Sequence, residues 1–229
     1  VYKRQLLNRV VLWTRVTPAV DEAVIPVEWV ISEDPNLARV YQTGLTYTNI
    51  AFDYTVKVDV GRLKPNTTYY YQFTVRGAKS PVGRTKTLPI GAVNRLRFAV
   101  TSCSNFPFGF FNVYRNIAAR RDLDVVLHLG DYTYEYAPGT YGDGAPIGRI
   151  PSPARETVSL SDYRTRLAQY RTDVDLQEVH RQHPFIVVWD DHESANDSWA
   201  TGAENHNPMT QGDWSERRAN ARQAWIEWM

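Results

Sequence analysis

Three short apolar runs in the second half of the chain each end in side chains that can bind a metal ion or move a proton. Phe98-Ala99-Val100 leads to Ser102-Cys103. Val125-Val126-Leu127-His128-Leu129 leads to Gly130-Asp131, with Tyr134 a little further on. Phe185-Ile186-Val187-Val188-Trp189 leads to Asp190-Asp191-His192-Glu193. Ligands of open α/β sheets bind beyond the carboxyl ends of the strands, so all of these clusters fall where a site is built. Gly130 lets the backbone turn sharply and leaves the Asp131 carboxylate projecting, with two oxygens able to bridge two cations. Tyr134 lies on the same side if a helical turn follows. As a ligand it must lose its proton, which an ion as Lewis-acidic as Fe³⁺ would remove; otherwise it is an aromatic wall residue. Cys103 has a thiolate role if a metal is near and is otherwise an inert small hydrophobe. Asp190 and Asp191 point opposite ways in an extended segment, so only one enters the site in the same manner. His192 can donate to a leaving group or to phosphate, or bind metal.

The elements that must position these residues follow from periodicity. Phe110 to Ala118 carries apolar residues at 110, 113, 114, 117 and 118, which suits a crossover helix packed on a sheet. Such crossovers are right-handed and bring parallel strands to one rim. Residues 161–171 read as a helix with a Ser or Asp cap, and 175–182 as a second, ended by His183-Pro184. Residues 215–229 form a last helix, with Ala221, Ala224, Trp225 and Trp228 on one face. Residues 137–159, rich in Pro and Gly and without periodicity, read as a lid or substrate edge, or as a disordered loop. That loop and the aromatic segment around Trp199 are the expected pocket walls.

Residues 1–88 read as all-β, with short runs rich in β-branched and aromatic residues separated by Pro, Asn, Asp and Gly. Leu63 to Phe73 resembles the corner of a fibronectin type III or immunoglobulin-like sandwich, in which one Tyr closes a hydrogen bond. Alternation places Tyr69, Tyr71 and Phe73 on one face. A turn-rich joint follows, so the expected domains are a sandwich over 1–91, read as a structural module, and an α/β half over 92–229.

Composition bounds the alternatives. The 229 residues carry a formal net charge of +1, with 43% hydrophobic and 22% charged residues, as ordinary soluble domains do. No Lys/Arg block marks a nucleic-acid surface. The single Cys excludes an intrachain disulfide. No apolar run reaches the roughly 18–20 residues needed to span a bilayer, and no signal peptide is seen. The abrupt start and the stop within a helix lead us to expect a fragment or a processed form. A Ser-His-Asp esterase is disfavoured, since no Gly-x-Ser-x-Gly elbow is present.

Several stretches together carry a family resemblance. FAVTSCSN, GFFNVYRNIA, DVVLHLGDYTYEY, YRTDVDLQEVHRQHPFIVVWDDHE and ANDSWATGAENHN resemble the PhoD-like alkaline phosphatases, within the calcineurin-like metallophosphoesterases. NRVVLWTRVTP and LKPNTTYYYQFTV resemble that family's N-terminal β-sandwich. Where the broader superfamily carries Asp-x-His, Gly-Asp and Gly-Asn-His-Asp/Glu, this chain has Ser102-Cys103, Gly130-Asp131 and Asp190 to Glu193, as the PhoD-like branch does. The resemblance implies a fibronectin III-like sandwich followed by an incomplete α/β metallophosphoesterase domain. It implies Cys103, Asp131 and Tyr134 as ligands of Fe³⁺, with Asp131 bridging to a Ca²⁺ site that includes Asp191. His192 would sit beside the scissile phosphate as proton donor or charge stabiliser. Asp190 and Asn196 are further candidates for calcium or for orienting water. The family's remaining ligands come from beyond the point where this chain stops, and His206 and Asn207 are not expected to replace them. The implied activity is hydrolysis of phosphomonoesters or phosphodiesters by a metal-bound hydroxide at a dinuclear or trinuclear Fe/Ca site, in an exported monomer of the cell exterior, periplasm or wall acting on a small phosphoester. The alternative from another class is a non-catalytic extracellular interaction protein with a degenerate phosphoesterase half.

Overall fold

The structure, a computed structural model, describes residues 6–229; residues 1–5 of the expected sandwich span lie outside the described residues. The N-terminal part is built from seven strands: β1 (Val10–Arg15), β2 (Ile25–Ser32), β3 (Val40–Thr48), β4 (Thr55–Val60), β5 (Thr68–Val75), β6 (Ala78–Lys79) and β7 (Gly83–Lys86). β1 pairs antiparallel with β4. β3, β2, β5 and β6 form a second antiparallel sheet, with β7 also on β5. The alternating residues of both sheets point inward, Val10 and Leu12 from β1 and Val56, Val58 and Val60 from β4 meeting Ile25, Val27, Tyr69 and Phe73. At the corner the buried Tyr69 hydroxyl accepts a hydrogen bond from the Lys64 amide at 2.8 Å. Burial pushes the Tyr69 pKa up to about 12, so the phenol stays neutral and keeps this bond across the working pH range.

The C-terminal part alternates strand and helix. Its strands are β8 (Phe98–Thr101), β9 (Val125–His128) and β10 (Phe185–Val187). Its helices are α1 (Asn112–Ala119), α2 (Leu160–Tyr170), α3 (Val174–Gln182), α4 (Pro208–Gln211) and α5 (Trp214–Trp228). β9 lies between β8 and β10, parallel to both, so all three carboxyl ends reach one rim. Ala99, Val126, Phe185 and Val187 pack into a core with Tyr114, Leu176, Val179 and Trp228. By the period-two alternation Phe98, Val100, Ile186 and Val188 face the other way, and they are exposed.

Helix α1 departs from the expected phase. It starts at Asn112, and its buried side is Phe111, Tyr114 and Ala118, while Phe110 and Val113 are exposed. Tyr114 sets that phase, because its hydroxyl lies 2.7 Å from the buried Ser104 hydroxyl behind the end of β8. Caps fix the other helices: Ser159 and Asp162 form a capping box on α2, and Asp173 accepts from the Asp175 and Leu176 amides at the start of α3.

The 137–159 segment carries only a short 3₁₀ turn at Ala145–Ile147, but it is held in place by buried arginines. Arg149 donates to the Phe106 carbonyl at 2.8 Å and to the Asp173 carboxylate at 2.9 Å. Arg166 donates to the carbonyls of Tyr134, Ser152, Pro153 and Arg155. A segment anchored this way is a fixed wall, and the expectation of a disordered loop is corrected accordingly. The two parts of the chain also touch directly. The Trp13 indole donates to the Glu227 carbonyl at 3.0 Å and the Trp228 indole to the Asp53 carboxylate at 2.9 Å. Among the described residues no helix is long and apolar enough to cross a membrane.

Candidate metal centre

Backbone geometry at the rim brings the chemical residues together. The Leu129 amide donates to the Thr101 carbonyl at 2.8 Å, Cys103 to Gly130 at 3.2 Å and Ser104 to Asp131 at 2.9 Å, so the turns after β8 and β9 run side by side. Cys103 (φ 55°) and Asp131 (φ 52°) both occupy the left-handed region, which costs a non-glycine residue about 1 kcal/mol or more. Gly130 has φ 108°, and a Cβ there would lie 2.4 Å from the Asp190 Cβ. Gly130→Ala is therefore expected to lose about 2–3 kcal/mol of stability, combining the backbone penalty with displacement of Asp190. Urea denaturation reads this directly; a loss under about half a kcal/mol would mean that the turn does not need glycine.

Glu193 ties the turn after β9 to the turn after β10. Its buried carboxylate accepts from the amides of Asp131 at 3.2 Å, Tyr132 at 2.6 Å and Asp190 at 2.6 Å. Burial raises its pKa to about 7, against the pull of those three donors.

On this frame five donor groups converge. The Tyr134 hydroxyl donates to Asp131 Oδ2 at 3.1 Å, and Cys103 Sγ lies 3.5 Å from the same oxygen. The other oxygen, Oδ1, is buried and has no hydrogen-bond partner. Asp131, Asp191 and His192 each offer a ligand atom, all within 4.8 Å of one another. Asp191 keeps one oxygen on the Asp197 amide at 2.5 Å. An orphaned carboxylate oxygen beside a second carboxylate, an imidazole, a thiol and a phenol is a donor set with a missing partner, and a cation fits it.

The electrostatics agree. Burial raises the Asp131 pKa, with His192, Tyr134 and Cys103 pulling the other way. Burial, followed by the Asp131 charge, drives Tyr134 far up, so the protein's own groups hold it as the neutral phenol. Burial works against charge on His192, but Glu135, Asp131 and Asp191 outweigh it and hold the imidazole pKa above its ordinary value.

The remaining expected residues fall differently. Asp190 turns its carboxylate onto the Asp191 amide at 3.0 Å and stands against Gly130, outside the cluster that Asp191 joins. The Asn196 side chain donates to Glu204, and its amide donates to Glu135 at 2.7 Å. Of the expected walls, Tyr141 in the 137–159 segment stacks at 5.9 Å on Tyr134 and meets Phe108 at 5.2 Å. Trp199 is exposed, on a turn it closes with Gly202. Sequence reasoning missed Glu135 altogether and gave Glu193 no separate role. Both are single acidic residues next to motif residues, and only their burial distinguishes them.

Residues 98–229 match the family described as PhoD-like phosphatase, and residues 5–89 match the PhoD-like phosphatase N-terminal domain. The chain belongs to the PhoD-like phosphatase family. It is similar to alkaline phosphatase D of Bacillus subtilis (strain 168), with 36% identity over 232 residues covering 98% of this chain and 39% of that protein. It is also similar to the solved structure of PhoD, at a TM-score of 0.89 and 35% identity over 99% of this chain and 44% of that one. The chain thus spans about two fifths of the length of these relatives.

Proposed function

We propose that this chain carries part of the active site of a metal-dependent phosphoester hydrolase acting on small phosphomonoesters or phosphodiesters. The observation that carries the reading is the Asp131 carboxylate, with Oδ1 buried and unpartnered, Oδ2 facing Cys103 and Tyr134, and Asp191 and His192 within 4.8 Å. Cys103, Asp131 and Tyr134 would hold Fe³⁺, since thiolate and phenolate together suit that ion better than Ca²⁺ or Mg²⁺. Asp131 and Asp191 would hold Ca²⁺, a hard ion that takes carboxylate oxygens. When bound, such ions would neutralise phosphate oxygens and lower the pKa of a water, so that hydroxide is available near neutral pH. His192, with a ring nitrogen within 4.8 Å of Asp131 and Asp191, would steady the phosphoryl charge or protonate the leaving alcohol. Tyr136 and Tyr141 wall that side of the site.

In this reading residues 92–229 are the metallophosphoesterase part and residues 1–91 a fibronectin III-like module that buttresses it. The protein works as an exported monomer. Hydrolysis of p-nitrophenyl phosphate and of bis-p-nitrophenyl phosphate, assayed with iron and calcium supplied, tests the activity; no turnover of either ester would count against it. A phenolate-to-iron absorption band is expected in the iron-loaded protein and is expected to vanish in Tyr134→Phe. A band that survives would place the chromophore elsewhere.

A further inference from the structure

We infer that the cleft between the sandwich and the α/β half is a second ligand site, which takes a small aromatic anion with its charged end on Arg171. The cleft has a volume of about 660 Å³ and is lined from both parts of the chain. Trp13 on β1 and Tyr71 and Phe73 on β5 form one side, Trp228 stands at the end of α5, and Arg171 follows the last turn of α2. None of the residues of the candidate metal centre lines it. A volume of about 300–1,000 Å³, aromatic walls, a few polar groups and a place between two domains are what small-molecule pockets share.

Arg171 is the residue that asks for a ligand. A guanidinium keeps its charge at any working pH, and here burial works against that charge. The other two arginines of the cleft have carboxylate partners: Arg15 meets Asp53 at 2.8 Å and Arg181 meets Glu178 at 2.6 Å. Arg171 pairs with no carboxylate among the described residues. Its Nη2 donates to the Trp228 carbonyl at 3.3 Å, as a cation at a helix C-terminus does. That contact leaves Nε, which is buried and has no hydrogen-bond partner. A partly buried cation with an unused donor, standing in a cleft, lacks an anion. A carboxylate or phosphate group matches the guanidinium fork.

The walls select the rest of the ligand. The Arg171 guanidinium lies 4.9 Å from the Trp13 ring centroid, and the Arg15 guanidinium 5.2 Å from that of Trp228. The Trp13 and Trp228 rings are 5.5 Å apart, and Tyr71 meets Phe73 edge to face at 6.0 Å. An aromatic body packs on such rings while its anionic end reaches Arg171. Competing negative charge is absent from the lining. Burial pushes the Tyr71 pKa up to about 12, which keeps the phenol neutral. Glu178, the one acidic residue lining the cleft among the described residues, is already bonded by Arg181 and Gln182.

The test uses the whole chain with a chelator present, so that no metal ion can take the probe. The probe is 2-naphthoate, set beside its uncharged analogue 2-naphthamide and followed by calorimetry and by quenching of tryptophan fluorescence. Naphthoate is expected to bind saturably, about ten- to a hundred-fold more tightly than the amide. It is expected to raise Tm as well, since it binds only where the two parts of the chain meet. Arg171→Met keeps an unbranched apolar side chain and is expected to abolish the preference for naphthoate while leaving the amide unaffected. Val174→Glu is the second variant, because Arg171→Met also gives up the Trp228 contact. Val174 lines the same cleft from the exposed start of α3, and a carboxylate there is expected to weaken naphthoate about ten-fold or more with the amide unchanged. Absence of saturable naphthoate binding, equal affinity for the two compounds, or wild-type naphthoate affinity in either folded variant would overturn the site.

Discussion

Asp131→Asn is expected to abolish phosphoester hydrolysis, by about 10³-fold or more, while the fold survives. Both halves of this expectation come from the same geometry. The carboxylate offers one oxygen to the Tyr134 hydroxyl and the Cys103 thiol and leaves the other buried and unpartnered. An amide can keep one oxygen as acceptor, but it replaces the second with an NH₂ that repels a cation. In the proposed reading Asp131 would bridge two cations, and loss of that negative charge would cost several kcal/mol of transition-state stabilisation. Stability goes the other way in the metal-free protein. Burial raises the folded-state pKa of Asp131 above its unfolded value, so the folded state holds the proton more tightly. This contribution to stability is present at low pH and is lost as pH rises from the unfolded value through the folded one. At neutral pH the ionised group opposes folding, and Asn removes that opposition. Metal-free Asp131→Asn should therefore melt no lower than the metal-free wild type. A folded variant that retains hydrolysis would contradict the proposed bridging role of Asp131, and a metal-free variant that melts lower than the wild type would contradict the stability argument.

Asp173→Ala is expected to cost about 3–5 kcal/mol, the largest single loss of stability we foresee. Arg149 and Asp173 form an ion pair at 2.9 Å with side-chain exposures of only 6% and 4%. The Arg149 guanidinium also lies 3.7 Å over the Phe106 ring and 4.8 Å from Phe111, an apolar setting that offers no second carboxylate. Truncating Asp173 leaves that charge buried and alone. It also uncaps α3, whose Asp175 and Leu176 amides both bond to Asp173 Oδ1 at 3.1 Å. The cap alone accounts for about 1 kcal/mol. Asp173→Asn keeps the capping oxygen and should fall between wild type and Ala. Urea midpoints of the three proteins decide the matter, and a loss below about 1 kcal/mol in Asp173→Ala would mean that Arg149 finds another partner.

The three strand ends, the crossover, the α5 face and the Tyr69 corner are readable in the sequence because each is local. A run of apolar residues ending in Gly130-Asp131 or Asp190-Asp191-His192 needs no distant partner to be recognised. What could not be read depends on contacts far along the chain. The phase of α1 follows from Tyr114 reaching Ser104, and a helical repeat alone does not distinguish that register from one turning Phe110 inward. By composition the 137–159 segment reads as a lid, a substrate edge or a disordered loop, and the anchoring by Arg149 and Arg166 on the α3 cap and the β9 turn is what composition does not reveal. The residues alone do not say which of Asp190 and Asp191 enters the site; the approach of Gly130 to Asp190 and the place of Asp191 beside Asp131 and His192 separate the pair. Glu135 and Glu193 carry no signature beyond their charge, and their burial is a property of the assembled rim.

Elemental analysis of the purified chain beside Asp131→Asn tests the central claim most directly, because it asks whether this rim holds ions at all. The expected result is about one iron per chain together with calcium in the wild type, and loss of both in Asp131→Asn. A folded wild type that binds neither ion when both are supplied, or equal metal content in the two proteins, would contradict it.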